Sequence, residues 1–350
     1  MAGGLLAFAI ALIASLILTV PVRALALRVG MVDLPGPRKV HLTPIPLLGG
    51  LAIYGGIVLA ILFALDGTAR AQSTGILAGA TLVAAVGILD DRGLLHHQIK
   101  LFVGMPVAGS ILLASGIHAR LFGVLFGGQT GWFLDVALTL FWVVGITAAF
   151  SILDHMDGLC AGAAALGAIF FAVLAGLNGQ VLVTTLAAAV LGAATGFLRW
   201  NFKPAKIFLG DGGAMLLGFL MATLGLKLRL EHANYAAAWL VPVLILGVPV
   251  FDTTLVTISR LRRGLLPFAA PGTDHAAHRL ANLWLGQRGA VLAMYALGAV
   301  SGGTAIFVSY LSARGALLAA SVTATLLLAG VVLLERAPYE RQVAKAEIAA

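Results

Sequence analysis

Residues 133–162 read FLDVALTLFWVVGITAAFSILDHMDGLCAG. The first part, 133–152, is an apolar run that stops just short of two carboxylates, Asp154 and Asp157. A helix needs about 20 apolar residues to cross a bilayer, so this run reads as a membrane span ending in acid. The same pattern recurs along the chain. Apolar runs lie near 4–22, 46–65, 74–89, 101–117, 159–177, 181–198, 212–230, 236–258, 289–311 and 316–334. Their long, unalternating character does not suit a β-barrel. The expectation is an all-α, polytopic transmembrane bundle of about eleven (ten or eleven) helices. It forms one domain over 1–350, with 335–350 as a short tail.

Composition agrees. The chain is 61% hydrophobic and 10% charged, with a mean hydropathy of +1.04. The first run has no basic residue before it and Arg23 and Arg28 after it, the reverse of a secretory signal. It reads as a retained helix with its N-terminus outside. On these spans seventeen basic residues, among them Arg38, Lys39, Lys100, Lys206, Arg260 and Arg279, fall on one side. Five (Arg70, Arg120, Lys227, Arg229 and Arg314) fall on the other. That bias marks the first side as cytoplasmic, in a bacterial inner membrane. The net charge of +8 is therefore topology and attraction to anionic membrane lipid rather than nucleic-acid binding. A single cysteine, Cys160, excludes an internal disulfide.

Carboxylates near hydrocarbon need a structural or chemical reason. Asp90 and Asp91 in LDDRG, Asp154 and Asp157, and Asp211 in FLGDGGA all fall on the side rich in basic residues. Adjacent Asp90 and Asp91 repel, and a metal, Lys100 or a substrate cation would relieve them. Asp154 and Asp157 share a face if helical. Gly210, Gly212 and Gly213 around Asp211 suit backbone donation to phosphate while the Asp holds a metal, although this is not a Walker loop. Arg38, Lys39 and His41 form a compact cationic group in a proline-rich loop. His275 and His278 are three apart, and a zinc site there needs further ligands that nearby sequence lacks. Asp252 reads as a helix-internal anchor or a direct participant. Collection of the acids at one face argues against a transporter, whose site lies near the midplane.

The order of these motifs resembles the polyprenyl-phosphate N-acetylhexosamine-1-phosphate transferases, relatives of the phospho-N-acetylmuramoyl-pentapeptide transferase. The matching pieces, from about 33 to 280, are DLPGPRKVH, PIPLLGG, LDDRG with Lys100, LDHMDGLCAG, NFKPAKIFLGDGG, VFDTTLVTISRLRRG and DHAAHRL. The resemblance implies transfer of a sugar 1-phosphate from a UDP-sugar to polyprenyl phosphate with release of UMP. It also implies a cytoplasmic active site using Mg²⁺, with Mn²⁺ as a substitute; a homodimer is compatible with it. Asp211 becomes the first metal ligand, joined by Asp154 and Ser151. Asp90 is the base for the lipid phosphate, Asp91 its support, and Asp157 a holder of metal or nucleotide. Lys100, His275, His278 and Arg279 contact phosphates, with Arg38, Lys39, His41 and Lys206 also binding substrate. Direct and double displacement both remain open. The chain departs from the family at Ser151 (usually Asn), His155 (usually Gly), Gly212 and Ala214 (both usually Ser) and Ala277 (usually His). A non-catalytic relative that binds lipid phosphate or a partner enzyme is the alternative. Absence of three consecutive histidines favours the aminosugar branch.

Overall fold

The computed structural model describes residues 2–35, 43–65, 70–95, 97–230, 235–266 and 272–337. Arg38, Lys39 and His41 lie outside the described residues.

The described chain is almost wholly helical. In order the helices are α1 (Ala2–Arg28), α2 (Gly49–Ala64), α3 (Arg70–Asp91) and α4 (His97–Ile99). A π-helical turn (Lys100–Gly104) leads into α5 (Met105–Ala114). Then come α6 (Phe122–Phe126), α7 (Gly128–Leu153), α8 (Leu159–Leu177), α9 (Val181–Asn201), α10 (Gly210–Lys227), α11 (Tyr235–Ile245), α12 (Gly247–Arg262) and α13 (Ala276–Leu280). A second π turn (Ala281–Leu285) precedes α14 (Gly286–Ser309) and α15 (Ala313–Glu335). A short antiparallel pair, β1 (Val32–Asp33) with β2 (Ile45–Pro46), follows α1.

Each of the eleven apolar runs expected from sequence is helical. Seven helices are long and apolar enough to cross a membrane, or eight if α11 and α12 count together. The protein is a multi-pass helical membrane protein. The α11–α12 pair bends by 77°, next to Gly247 and between Pro242 and Pro249, where the helical hydrogen-bond ladder loses donors. This break makes the ninth expected run two helices rather than one.

Helix α10 is the centre of the bundle. From Gly210 to Leu226 nearly every residue is buried, and it packs against α2, α3, α7 and α8. A helix apolar all round belongs in such a position. Its N-terminus is wedged between two others by glycine. A Cβ on Gly87 of α3 would lie 2.5 Å from Gly212 Cα, and one on Gly50 of α2 would lie 2.3 Å from Gly213 Cα. Small residues let backbones approach this closely in membranes. A Cβ on Gly212 would meet Ile88 Cγ1 at 2.7 Å, so packing gives a reason for glycine there. In contrast α15 packs at the periphery with a largely exposed apolar surface.

Candidate active site

The glycine contacts bring the C-terminal end of α3 to the N-terminal end of α10. Asp91 caps α10: its Oδ1 accepts from the Asp211 N–H at 2.9 Å, and its Oδ2 accepts from the Gly212 N–H at 3.2 Å. These are orphan donors of the helix start, where negative charge is favoured. Gly210 has φ +75°, and a Cβ there would lie 2.7 Å from Asp91 Oδ2. The left-handed turn and the bare carbon are both needed for the cap.

Asp90 and Asp211 share one cation. Lys100 Nζ donates to Asp90 Oδ2 at 2.5 Å and to Asp211 Oδ2 at 2.6 Å. The π turn that starts at Lys100 carries the lysine into this position. Such turns recur at functional sites. On the other side, Ser151 Oγ donates to Asp211 Oδ1 at 2.5 Å. Ser151, expected as a metal ligand, thus spends its proton orienting Asp211.

Asp154 follows the last residue of α7 and caps its C-terminal end. Burial, then the carboxylates of Asp211, Asp91 and Asp157, push its pKa well above the ordinary range. Asp157 sits at the edge of this group, where its Oδ2 accepts from Ala205 N–H at 3.1 Å. Asn201, which sequence reading passed over, ties the same two loops together. Its Oδ1 accepts from Gly158 N–H at 3.0 Å and its Nδ2 donates to Ile207 O at 3.0 Å. The signal available was an Asn inside NFKPAK; its partner lies 43 residues away.

The histidines gather beside this group. His155, the residue after Asp154, stacks on His275 with ring centroids 3.9 Å apart and lies 4.7 Å from the ring of His278. Asp252, from within α12, accepts from Ala276 N–H at 2.7 Å and holds His275 Nδ1 at 2.7 Å. Asp252 is therefore both an anchor and a partner of the histidines. Burial, then the neighbouring His275, lowers the His155 pKa to about 4.

One expected substrate contact is engaged elsewhere. Arg279 is fully buried. Its guanidinium donates to Asp274 O, Ser259 Oγ and Leu334 O at 3.0, 2.7 and 2.8 Å, and lies 3.3 Å from Glu335 Oε2. It fastens α13 to the end of α15 instead of facing a phosphate. The reason is charge: a buried guanidinium requires several acceptors, and the end of α15 supplies them. Lys206 Nζ sits over the Trp200 ring, 5.6 Å from its centroid. Asp274 is clamped by Arg260 (2.9 and 3.0 Å) and Arg263, which hold its pKa at about 2 against the cost of burial.

Oxygen donors suit Mg²⁺. Asp90 and Asp211 lie on Lys100, at a point already favourable to a cation, and Asp154 is a near neighbour of Asp211. The donor chemistry suits such an ion, although these oxygens do not form a ready-made ligand cluster.

Fold and site together define a multi-pass helical membrane protein with a carboxylate–lysine centre assembled from helix ends. Residues 73–229 match the sequence model of Glycosyl transferase family 4. The probable undecaprenyl-phosphate N-acetylglucosaminyl 1-phosphate transferase of Bacillus subtilis is 38% identical over 295 residues, covering 83% of this chain and 81% of that protein. The decaprenyl-phosphate N-acetylglucosaminephosphotransferase of Mycolicibacterium smegmatis is 34% identical over 303 residues (78% and 74%). An undecaprenyl-phosphate alpha-N-acetylglucosaminyl 1-phosphate transferase of Yersinia pestis is 29% identical over 270 residues (73% and 71%). The chain belongs to glycosyl transferase family 4, among the polyprenyl-phosphate N-acetylhexosamine-1-phosphate transferases.

Proposed function

We propose that this protein transfers N-acetylhexosamine 1-phosphate from a UDP-sugar to polyprenyl phosphate, releasing UMP and beginning a lipid-linked envelope glycan. The observation that carries this reading is the Asp90–Lys100–Asp211 bridge at the capped start of α10, in a chain of this family. The relatives' names specify undecaprenyl or decaprenyl phosphate and N-acetylglucosamine, which makes UDP-N-acetylglucosamine the first donor to test.

In this mechanism Lys100 binds a phosphate oxygen with its ammonium. Asp90 accepts the proton of the lipid phosphate. The freed oxygen attacks the sugar-bearing phosphorus, and the bond between that phosphorus and the bridging oxygen breaks, so that oxygen leaves with UMP. Ser151 and Lys100 fix the rotamer of Asp211, and Asp91 fixes the backbone beneath it. A divalent ion held by Asp211 and Asp154 would neutralise charge on the diphosphate, most of what phosphoryl transfer requires. Asp157 and the histidines face the nucleotide side.

The same reading gives eleven crossings, with α2, α5 and α10 as spans too. It places the N-terminus outside and the carboxylates on the cytoplasmic face of a bacterial inner membrane, where a soluble nucleotide meets a lipid headgroup. The basic-residue bias supports this orientation.

The test is UMP release by purified protein given UDP-N-acetylglucosamine, polyprenyl phosphate and Mg²⁺. Release that depends on both substrates is expected. Silence across a panel of UDP-sugars, in Mg²⁺ and in Mn²⁺, would reject the reading.

A further inference from the structure

His155 stands where the family resemblance leads one to expect glycine, and its surroundings do not explain it as a hydrogen-bonding residue. Both ring nitrogens are buried and have no hydrogen-bond partner. A buried polar atom left unsatisfied is costly, so such an atom calls for a ligand. Asp252 Oδ2 lies 3.8 Å from His155 Nε2. That is too far for a hydrogen bond and close to the separation of two ligands on one metal ion. His275 Nδ1 lies 2.7 Å from the same oxygen. One nitrogen from each histidine and one oxygen of Asp252 all fall within 4.8 Å of one another.

We propose that His155, His275 and Asp252 form a second divalent-cation site, of zinc type, distinct from the oxygen-lined centre at Asp211. Two imidazoles and a carboxylate match Zn²⁺ or Co²⁺, whereas Mg²⁺ prefers oxygen alone. The ion takes the place of the proton between His275 Nδ1 and Asp252: a neutral His275 ligates through Nδ1 with its proton moved to Nε2, and a cationic one releases the Nδ1 proton to solvent. His155 gives up no hydrogen bond on ligation, because it has none. The stacked rings, inclined at 28°, splay apart to aim both nitrogens at the ion. His278, with its ring 4.7 Å from that of His155, or a water fills the fourth position.

The ligands come from three segments: the loop after α7, the interior of α12, and the residue before α13. An ion there fastens the Asp154–Asp157 loop to the segment that starts α13. Two ligands were visible in no local motif, since His155 and Asp252 lie 120 and 23 residues from His275.

The experiment uses the full-length protein in detergent, stripped of metal and titrated with Co²⁺ without UDP-sugar or lipid. One Co²⁺ per chain with the intense visible band of four- or five-coordination is expected, displaced by Zn²⁺ and not by Mg²⁺. His155→Gly and His155→Gln should each weaken binding by more than about tenfold, while Asp211→Asn keeps the band. X-ray absorption of the zinc-loaded wild-type protein should show imidazole scattering, a readout that needs no variant to fold. A weak six-coordinate spectrum, an oxygen-only shell, an unchanged His155→Gln titration, or loss of the band in Asp211→Asn would each overturn the proposal. None of these measurements involves transfer, so their failure leaves the transferase reading untouched.

Discussion

Lys100 Nζ lies 2.6 Å from Asp211 Oδ2, although 111 positions separate the two residues. The same ammonium touches Asp90. One positive charge thus holds two carboxylates that would otherwise repel each other, and it holds them at the start of the central helix.

Removing that charge has a clear expected result. Lys100→Met should lower the rate of UMP release by about 100-fold or more, the scale of losing one preorganised electrostatic contact at a phosphoryl or acyl centre. Thermal unfolding should shift far less. A variant that keeps its rate to within a few-fold would remove Lys100 from the reacting group.

Asp90 and Asp91 are neighbours with different tasks. Asp91→Ala leaves two N–H groups at the start of α10 without an acceptor and should destabilise the protein by about 1 kcal/mol, as loss of a helix cap does. Asp91→Asn should recover part of that in a melting experiment. Asp90→Asn should instead lower the rate with little change in melting. Equal melting losses for the Ala variants at both positions would contradict the division.

Arg279 separates a structural role from a substrate role. Arg279→Met strands the buried acceptors around it and leaves Glu335 without its partner, which should lower stability by about 3–5 kcal/mol. Protein that remains folded at low temperature should show an unchanged KM for the UDP-sugar. A raised KM with normal melting would mean that the guanidinium contacts phosphate after all.

Close helix packing is tested at Gly87. A methyl group there would meet the backbone of Gly212. Gly87→Ala should therefore destabilise by about 1–3 kcal/mol, in the range for overpacking. It should also lower activity, because α10 can relieve the clash only by moving Asp211. Gly303→Ala, where nothing lies within 4 Å of the added carbon, serves as the control and should do neither.

Chelation probes the metal centre. Transfer should stop on treatment with a chelator and return with Mg²⁺. Asp211→Asn should stay inactive when Mg²⁺ is raised to levels that fully restore the wild-type protein.

Much of this was legible early. The eleven apolar runs are helices, and the acids sit where those helices end. The exception was local: the run 236–258 hides a 77° break, because hydropathy averages over Gly247 and two prolines without sensing lost hydrogen bonds. Side-chain direction was less visible. Arg279 looked like His275 and His278, all in one short polar segment, yet it points into the protein interior toward α15. Ser151, read as a metal ligand, also donates to Asp211, a partner 60 positions away that sequence could not show.

The sequence by itself determined that the chain is helical and membrane-embedded, since hydropathy is additive along a segment and needs no neighbour to be read. It also determined which acidic, basic and imidazole groups were available. Only the tertiary structure decided which of them meet. Asp90, Lys100 and Asp211 converge because Gly50, Gly87, Gly212 and Gly213 let α10 slide between α2 and α3. His155 finds His275 because the chain breaks between α11 and α12 and α12 brings Asp252 to the loop after α7. Such contacts depend on how helices distant in sequence press together, a property of pairs that no single stretch of residues carries.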